Sequence, residues 1–409
     1  MKERLQSLDA LRGFDLLMLV AVSDLVEELA EVIDKPWMGT VMDCFTHKKW
    51  EGFSPWDLVM PLFMFMAGVA IPFALRPASE RGRTKNEAST KGGWTEVALY
   101  WRIGRRVLLL WIFGMMVQGN LLALDPNRIY LFTNTLQAIA VGYFFSALIY
   151  LHTNWKTQIG IALALLLAFW GAMEWITIGG YGGGDYSPHG NLAEGIDMMV
   201  LGRFRDTAKV IDGEVVVKAS YTYTWLLSSL NFVVTVLTGV LAGEIIQKYS
   251  PLPAPPLGEC SVGRCSGIEA VPKKGSGKGA LLLLVIGIAM VGLGWTWGLV
   301  HPVIKHIWTG SMVLVSSGYC FLLTALFYWW IDCRGHSRHL TLLKVYGMNS
   351  ITAYVVSHVI SFKSVSRSLF FGLEQYVGDY YDFIIQLSNV TILFLILFVL
   401  YRNKIFLRV

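Results

Sequence analysis

Apolar residues in this chain come in long unbroken runs rather than at strand or amphipathic-helix spacing. The stretches ALLLLVIGIAMVGLGW at 280–295 and VTILFLILFVLY at 390–401 carry no charge at all. A helix needs about 20 mostly apolar residues to cross the hydrocarbon core of a bilayer. By that measure the pattern predicts spans near 8–28, 57–75, 97–119, 133–151, 158–178, 222–247, 279–300, 309–331, 342–360 and 383–401. The expected fold is all-α: a polytopic membrane helix bundle of about ten transmembrane helices, forming one transmembrane domain over 1–409. The first span is the weakest, because only Leu16–Val22 is strictly apolar. Two hydrophilic stretches interrupt the pattern. The segment 249–278 is rich in Pro, Gly and Ser and reads as a flexible loop. The segment 179–220 starts with a glycine cluster and reads as a long loop able to fold over one face and shape a substrate site.

The basic residues give these spans a direction. The loops on the side of the N-terminus, including 249–278, hold 23 Lys and Arg, and the alternate loops, including 179–220, hold 11. Cytoplasmic loops carry the excess of Lys and Arg, so both termini are expected inside and 179–220 outside. Composition agrees: 54% of residues are hydrophobic and 15% charged, with a mean hydropathy of +0.51. That excludes a soluble enzyme and a disordered chain. The net charge of +5 is too small to suggest a nucleic-acid partner, so the lipid bilayer is the expected surroundings. The five cysteines are an odd number, which excludes a complete disulfide framework. Cys260 and Cys265 share the 249–278 loop with no histidine beside them, so no metal site is expected. No cleavable signal peptide is evident in the charged start MKERLQSLDALRG. The lone Asn-x-Thr sequon, at Asn389, falls inside the last span, which favours a bacterial inner membrane over a glycosylated organelle.

Polar residues inside spans mark the places where function or pairing must stand. Asp9, Arg12 and Asp15 recur every three residues and fall near one face of the first helix. They read either as a structural ion-pair ladder or as the wall of a polar cavity. Arg102, Arg105 and Arg106 open the third span, either as topogenic charges or as a phosphate site suited to guanidinium forks. The segment CFTHKKWEGFSPWDLVMPLFMFMAGVAI, 44–71, places His47 just ahead of the second span among Trp50, Phe53 and Trp56, with Asp57 at the span's start. A loop histidine is usually inert, and aromatic residues also form ordinary interface belts. Near the other end, Gly347-Met348-Asn349-Ser350 lies in the ninth span and His358 further along it, either a second cavity residue or a capped structural histidine.

At these residues the chain resembles the heparan-α-glucosaminide N-acetyltransferase family of transmembrane acyltransferases, particularly its bacterial members. The start RLQSLDALRGFDLLMLV is similar to the family's opening Arg-Leu-x-Ser-x-Asp-x-x-Arg-Gly. The pattern His47-x-x-Trp50-x-Gly52-x-x-x-x-Asp57-Leu58-Val59-x-Pro61-x-Phe63 matches the family's central motif nearly position for position. Arg105-Arg106, Leu136-Gln137, Lys305-x-x-Trp308-x-x-Ser311 and Gly347-x-Asn349-Ser350 are further matches, so the resemblance runs from Arg4 to about His358. Ala138 stands where the family usually has Arg, and His306 where many members have Asn or Lys. The large lumenal domain of the animal enzyme has no counterpart in this sequence.

The resemblance implies transfer of an acetyl group from cytoplasmic acetyl-CoA to an amino or hydroxyl group of a sugar or glycan on the far side. His47 then inherits the catalytic histidine, with Asp57 orienting the ring and Asn349 or Ser350 donating to the developing oxyanion. Neutral imidazole suits proton removal from an attacking amine or hydroxyl, or it becomes transiently acetylated. Arg12, Arg102, Arg105, Arg106 and Gln137 are the expected acetyl-CoA contacts, and Trp50 and His358 the acceptor contacts. A homodimer is compatible with this reading. The competing classes are a secondary transporter of an organic solute and a non-catalytic scaffold. Against the transporter, the two parts of the bundle show no internal repeat, and the strongest motif lies at a membrane boundary rather than near the midplane.

Overall fold

The computed structural model describes residues 5–33, 35–75, 92–206, 208–211, 214–217, 223–250, 276–336 and 338–407. Cys260, Cys265 and most of the 249–278 loop lie outside the described residues, as do parts of the 76–106 and 179–220 loops. The order of elements is α1 (Gln6–Leu17), a π turn (Met18–Val22), α2 (Ser23–Val32), α3 (Pro36–Phe45), a 3-10 turn (Pro55–Leu58) and α4 (Val59–Ala74). Then follow α5 (Gly92–Val117), α6 (Thr135–His152), α7 (Trp155–Trp175), the hairpin β1 (Thr177–Ile178) and β2 (Tyr181–Gly182), α8 (Leu192–Leu201), and the hairpin β3 (Ala208–Ile211) and β4 (Glu214–Val217). The last part holds α9 (Ser229–Tyr249), α10 (Gly277–Trp297), α11 (Gly310–Phe327) with a π extension (Tyr328–Cys333), α12 (Thr341–Met348), α13 (Ser350–Val359), α14 (Lys363–Leu369) and α15 (Tyr381–Arg402). The two hairpins are the only sheets among the described residues.

All ten expected spans are helical, but among the described residues only seven helical segments are long and apolar enough to cross a membrane. The other three fall short for visible reasons. The first is interrupted by the π turn and carries Asp9, Arg12, Asp15 and Asp24. The third, α5, carries three arginines. The ninth breaks at Asn349 into the short helices α12 and α13.

The centre of the bundle is α4, α9, α6 and α11, wrapped by α7, α10 and α15. In α9, 72% of the apolar window is buried; in α7 and α10 the share is 28%. The peripheral helices instead present large apolar side chains outward, among them Leu281, Val285 and Ile288 of α10. In water such faces would be unstable; in lipid they are the ordinary solvent-facing surface. Helices in lipid gain little from burying leucine, so close backbone approach through small residues holds them together. A Cβ on Gly239 of α9 would collide with the Phe65 carbonyl of α4, and one on Gly68 of α4 with the Val236 carbonyl of α9. Gly13 and Gly347 do the same for α1 and α12, each facing a backbone carbonyl of the other helix.

Candidate active site

The chain between α3 and α4 turns sharply, and the sequence dictates how. Ser54 precedes Pro55, and Asp57 falls at the third position of the 3-10 turn, so its carboxylate folds back onto the Ser54 backbone: Asp57 Oδ2 accepts from Ser54 N–H at 2.9 Å. The Ser54 hydroxyl donates to the Thr46 carbonyl at 2.7 Å, which ties down the residue before His47. Asp57 is thereby held almost wholly buried, at 1% exposure, with Oδ1 left to face His47.

The loop between α10 and α11, residues 298–309, closes over this turn. Glu51 and Ile304 form an antiparallel bridge, and Gly52 N–H donates to the Val303 carbonyl at 2.8 Å. Gly52 adopts φ +111°, a conformation side chains disfavour. Trp308 holds the far end of the loop. Its φ of 50° is unusual for a large residue, and it is fixed on both sides. Its indole N–H donates to Thr235 Oγ1 at 3.1 Å, and its carbonyl accepts from Asn231 Nδ2 at 2.6 Å. The loop also docks onto the start of α9, where Thr224 N–H donates to the His306 carbonyl and the Ser228 hydroxyl to the Ile307 carbonyl.

These constraints bring three ionisable groups together. His47 Nδ1 lies 2.7 Å from Asp57 Oδ1, and Lys305 Nζ lies 3.3 Å from the same oxygen and 3.1 Å from His47 Nδ1. With Nδ1–H donating to Asp57, Nε2 carries the lone pair and remains available for a proton. Lys305 cannot donate to a ring nitrogen that is itself donating, so it serves the carboxylate and stands beside the ring as a cation. Burial pushes the Lys305 ammonium down to about 8, against the opposing pull of Asp57. His47 is the one partly open member, with 35% of its side chain exposed.

Aromatic rings flank the cluster. Trp50 stacks on His306 with centroids 5.3 Å apart and planes 13° from parallel, and the Tyr223 ring centroid lies 4.7 Å from that of His306. Burial, reinforced by the Lys305 cation, pushes His306 down to about 3, so its ring stays neutral. The Trp50 indole N–H donates to the Tyr186 carbonyl at 2.9 Å. The Tyr186 hydroxyl donates to Glu174 Oε1 at 2.9 Å and receives His301 Nδ1–H at 2.9 Å, while His301 Nε2 accepts from Gly310 N–H. The 179–220 segment therefore packs against the site. It is braced internally by the paired Arg205 and Glu194, and it is tied to the start of α9 by Asp197, which accepts from the backbone N–H groups of Trp225 and Leu226 at 2.6 and 3.0 Å. Burial raises the Asp197 carboxyl to about 6, even against those two bonds.

Of the residues singled out in the sequence, His47, Asp57 and Trp50 are brought together here. The other residues expected to be catalytic or to hold the donor or acceptor lie elsewhere in the bundle. Arg12 pairs with Asp9 at 3.9 Å and reaches the Met66 carbonyl, while Asp15 is buried. Arg102 and Arg105 are exposed on α5, and the Arg106 guanidinium lies 4.2 Å over the Tyr143 ring. Gln137 is spent on the backbone at the start of α6: Oε1 accepts from Thr133 N–H at 2.7 Å and Nε2 donates to the Leu131 carbonyl at 2.6 Å. Asn349 sits at the break between α12 and α13, where Nδ2 donates to the Val345 carbonyl at 3.4 Å and Oδ1 has no hydrogen-bond partner among the described residues. Ser350 begins α13, half-buried, and His358 lies near that helix's other end. The groups missed as site members are Lys305, His306, Tyr186 and Tyr223. Lys305 was visible only as part of a matched stretch, because nothing local to it reveals Asp57 as its partner.

A helical integral membrane protein, with a buried carboxylate, an imidazole and an ammonium meeting beside an aromatic wall, is the class that fold and site define. The particular likeness is to heparan-α-glucosaminide N-acetyltransferase. The proteins of that name from Homo sapiens and Mus musculus are each 24% identical to this chain, over 454 and 452 residues, and the match covers 99% of the chain. The chain spans 60% of the length of these relatives. It is thus a distant relative of that family along nearly its whole length. No family model matches it.

Proposed function

We propose that the chain is a membrane-embedded acetyltransferase that moves an acetyl group from acetyl-CoA to an amino or hydroxyl group of a sugar. The observation that carries this reading is the contact of His47 Nδ1 with Asp57 Oδ1 at 2.7 Å, which fixes the tautomer and leaves Nε2 as a base. The acceptor's nitrogen or oxygen attacks the thioester carbonyl carbon, its proton passes to His47 Nε2, the carbon–sulfur bond breaks, and the thiolate takes a proton as coenzyme A departs. Asp57 orients the imidazole and faces the positive charge it gains, and Lys305 holds Asp57 in place. Trp50, with His306 and Tyr223 behind it, offers an aromatic face on which a sugar ring can stack.

The excess of Lys and Arg in one set of loops supports cytoplasmic termini and, in a bacterium, the inner membrane. His47 then stands at the outer end of the bundle, and the exposed Arg102 and Arg105 at the inner boundary, where they suit the phosphates of the donor. The decisive experiment is acetyl transfer by the purified protein in detergent, with acetyl-CoA and a panel of hexosamines. Release of free coenzyme A that depends on an acceptor supports the reading. Absence of any turnover, together with uptake of a solute by reconstituted vesicles, would favour a transporter.

A further inference from the structure

A cavity elsewhere in the bundle shares no residue with the His47 cluster. It is bounded by the π turn and α2, the end of α13 and the middle of α15, is partly open to the outside, and has a volume of about 220 Å³. Leu19, Val20 and Leu393 give it apolar walls, while Asp24, Ser357, His358 and Asn389 line it with polar groups. One water needs about 10–15 Å³ of such space, and drug-sized ligands occupy about 300–1,000 Å³, so the cavity suits a small molecule.

The polar groups have a definite sense. Asp24 Oδ2 accepts from Gln386 Nε2 at 2.8 Å and Oδ1 from the Ser23 hydroxyl at 3.2 Å, and both donors are neutral. Among the described residues no cation pairs with Asp24. The lysine on the neighbouring helix, Lys363, is engaged by Glu28 at 3.2 Å, one turn further along α2. His358 Nδ1–H donates to the Tyr354 carbonyl at 2.8 Å, which leaves Nε2 as an acceptor. The Ser357 hydroxyl donates to the same carbonyl at 3.0 Å and lies 3.1 Å from His358 Nδ1–H, which leaves it one further lone pair to accept. Asn389 Oδ1 is taken by Phe362 N–H at 3.0 Å, so the amide NH₂ is left to donate. The cavity therefore offers one negative charge, two neutral acceptors and one donor. A partly buried carboxylate is stabilised when a cation with its own hydrogen-bond donors stands beside it.

We propose that this cavity binds a small primary ammonium ion, whose N–H groups donate to Asp24, His358 and Ser357 and whose hydroxyl or ether oxygen accepts from Asn389. The chemistry is shared by free amino alcohols and by the headgroup of an ethanolamine lipid. The test uses the full chain in nanodiscs of phosphatidylcholine, with ethanolamine titrated by calorimetry and ethylene glycol as the neutral probe. Saturable binding of ethanolamine and none of ethylene glycol is expected. Asp24→Asn should weaken it at least tenfold, and Val390→Phe, which fills the cavity without removing a polar group, should abolish it. His47→Ala should bind ethanolamine as the unaltered chain does, which separates this site from the proposed active site. In nanodiscs of phosphatidylethanolamine, weakened binding of free ethanolamine assigns the site to the lipid headgroup, and unchanged binding assigns it to a soluble amine. No binding to the unaltered chain, equal binding of ethylene glycol, or unchanged affinity in both Asp24→Asn and Val390→Phe overturns the proposal. Loss in Val390→Phe alone, with Asp24→Asn folded and unchanged, overturns the ammonium assignment.

Discussion

Lys305 Nζ and Asp57 Oδ1 lie 3.3 Å apart, both almost fully buried, although one sits within the loop before α11 and the other in the 3-10 turn that leads into α4. Breaking one side of a buried ion pair leaves the other charge uncompensated, at a cost of about 3–5 kcal/mol. Lys305→Met should therefore lower the unfolding temperature markedly in detergent. The double variant Lys305→Met with Asp57→Asn should recover part of that loss, because no lone charge remains buried. Additive losses in the double-mutant cycle would mean that the two groups are not coupled.

The same pair sets an alkaline limit. The folded Lys305 ammonium titrates at about 8, below the 10.5 of a free lysine. Between those values the unfolded chain holds the extra proton, so this group's contribution to stability rises with pH across that window. Activity should move the other way. As Lys305 loses its charge near pH 8, Asp57 loses a partner and the imidazole its fixed setting, so kcat should fall above that pH. Lys305→Arg keeps its charge, and its rate profile should stay flat through pH 9. A limb at pH 8 that persists in Lys305→Arg would assign the titration to another group.

How much of this was legible in the sequence follows from distance along the chain. His47 and Asp57 are ten positions apart, within one turn-and-helix unit, so a local motif could present them together. Lys305 joins them through long-range contacts of its loop, such as the bridge between Glu51 and Ile304, which no local pattern encodes. Helical runs were readable because lipid demands long apolar stretches. The π turn at Met18–Val22 and the break at Asn349 were not, because neither interrupts the apolar run in which it falls. Gln137 matched the family pattern, yet its side chain is occupied with the backbone of Leu131 and Thr133, just ahead of α6. The Ala138 substitution has no structural explanation beyond its fit in a fully buried position.

Helix packing offers a check independent of chemistry. Gly239 lies against the Phe65 backbone, which cannot swing aside as a side chain would. Gly239→Ala should force α4 and α9 apart, at a cost of about 1–3 kcal/mol or more. Gly104, with open space around its Cβ direction, is the control, and Gly104→Ala should leave the unfolding temperature unchanged. Equal behaviour of the two variants in thermal unfolding would argue against the close α4–α9 contact.

Trp50 separates positioning from chemistry. Its ring stacks on His306 and its indole N–H is bonded to the Tyr186 carbonyl. Trp50→Phe keeps the stacking face and loses that hydrogen bond, worth about 0.5–1.5 kcal/mol. The acceptor KM should therefore rise several-fold with kcat little changed. Trp50→Ala removes the face as well and should raise KM further. A fall in kcat alone, with KM constant, would move Trp50 from the acceptor wall to the reacting centre.

His47 carries the chemical reading, and its variants distinguish the two routes open to it. Loss of a general base typically costs about 10²–10⁴ in rate. His47→Ala should fall in that range if the imidazole only accepts a proton, and the residual rate should rise with pH as the acceptor amine deprotonates unaided. If the imidazole is acetylated on the way, the variant should retain essentially no transfer at any pH, and rapid mixing of the unaltered protein with acetyl-CoA alone should release one equivalent of coenzyme A per chain. Asp57→Asn should keep donor binding but lower kcat, because an amide can face Nδ1 with its NH₂ and favour the wrong tautomer. In both routes His47→Ala should bind coenzyme A normally if the donor's phosphates are held near Arg102 and Arg105. Full acetyl transfer by a folded His47→Ala protein would remove His47 from the mechanism, and with it the role assigned to Asp57 and Lys305.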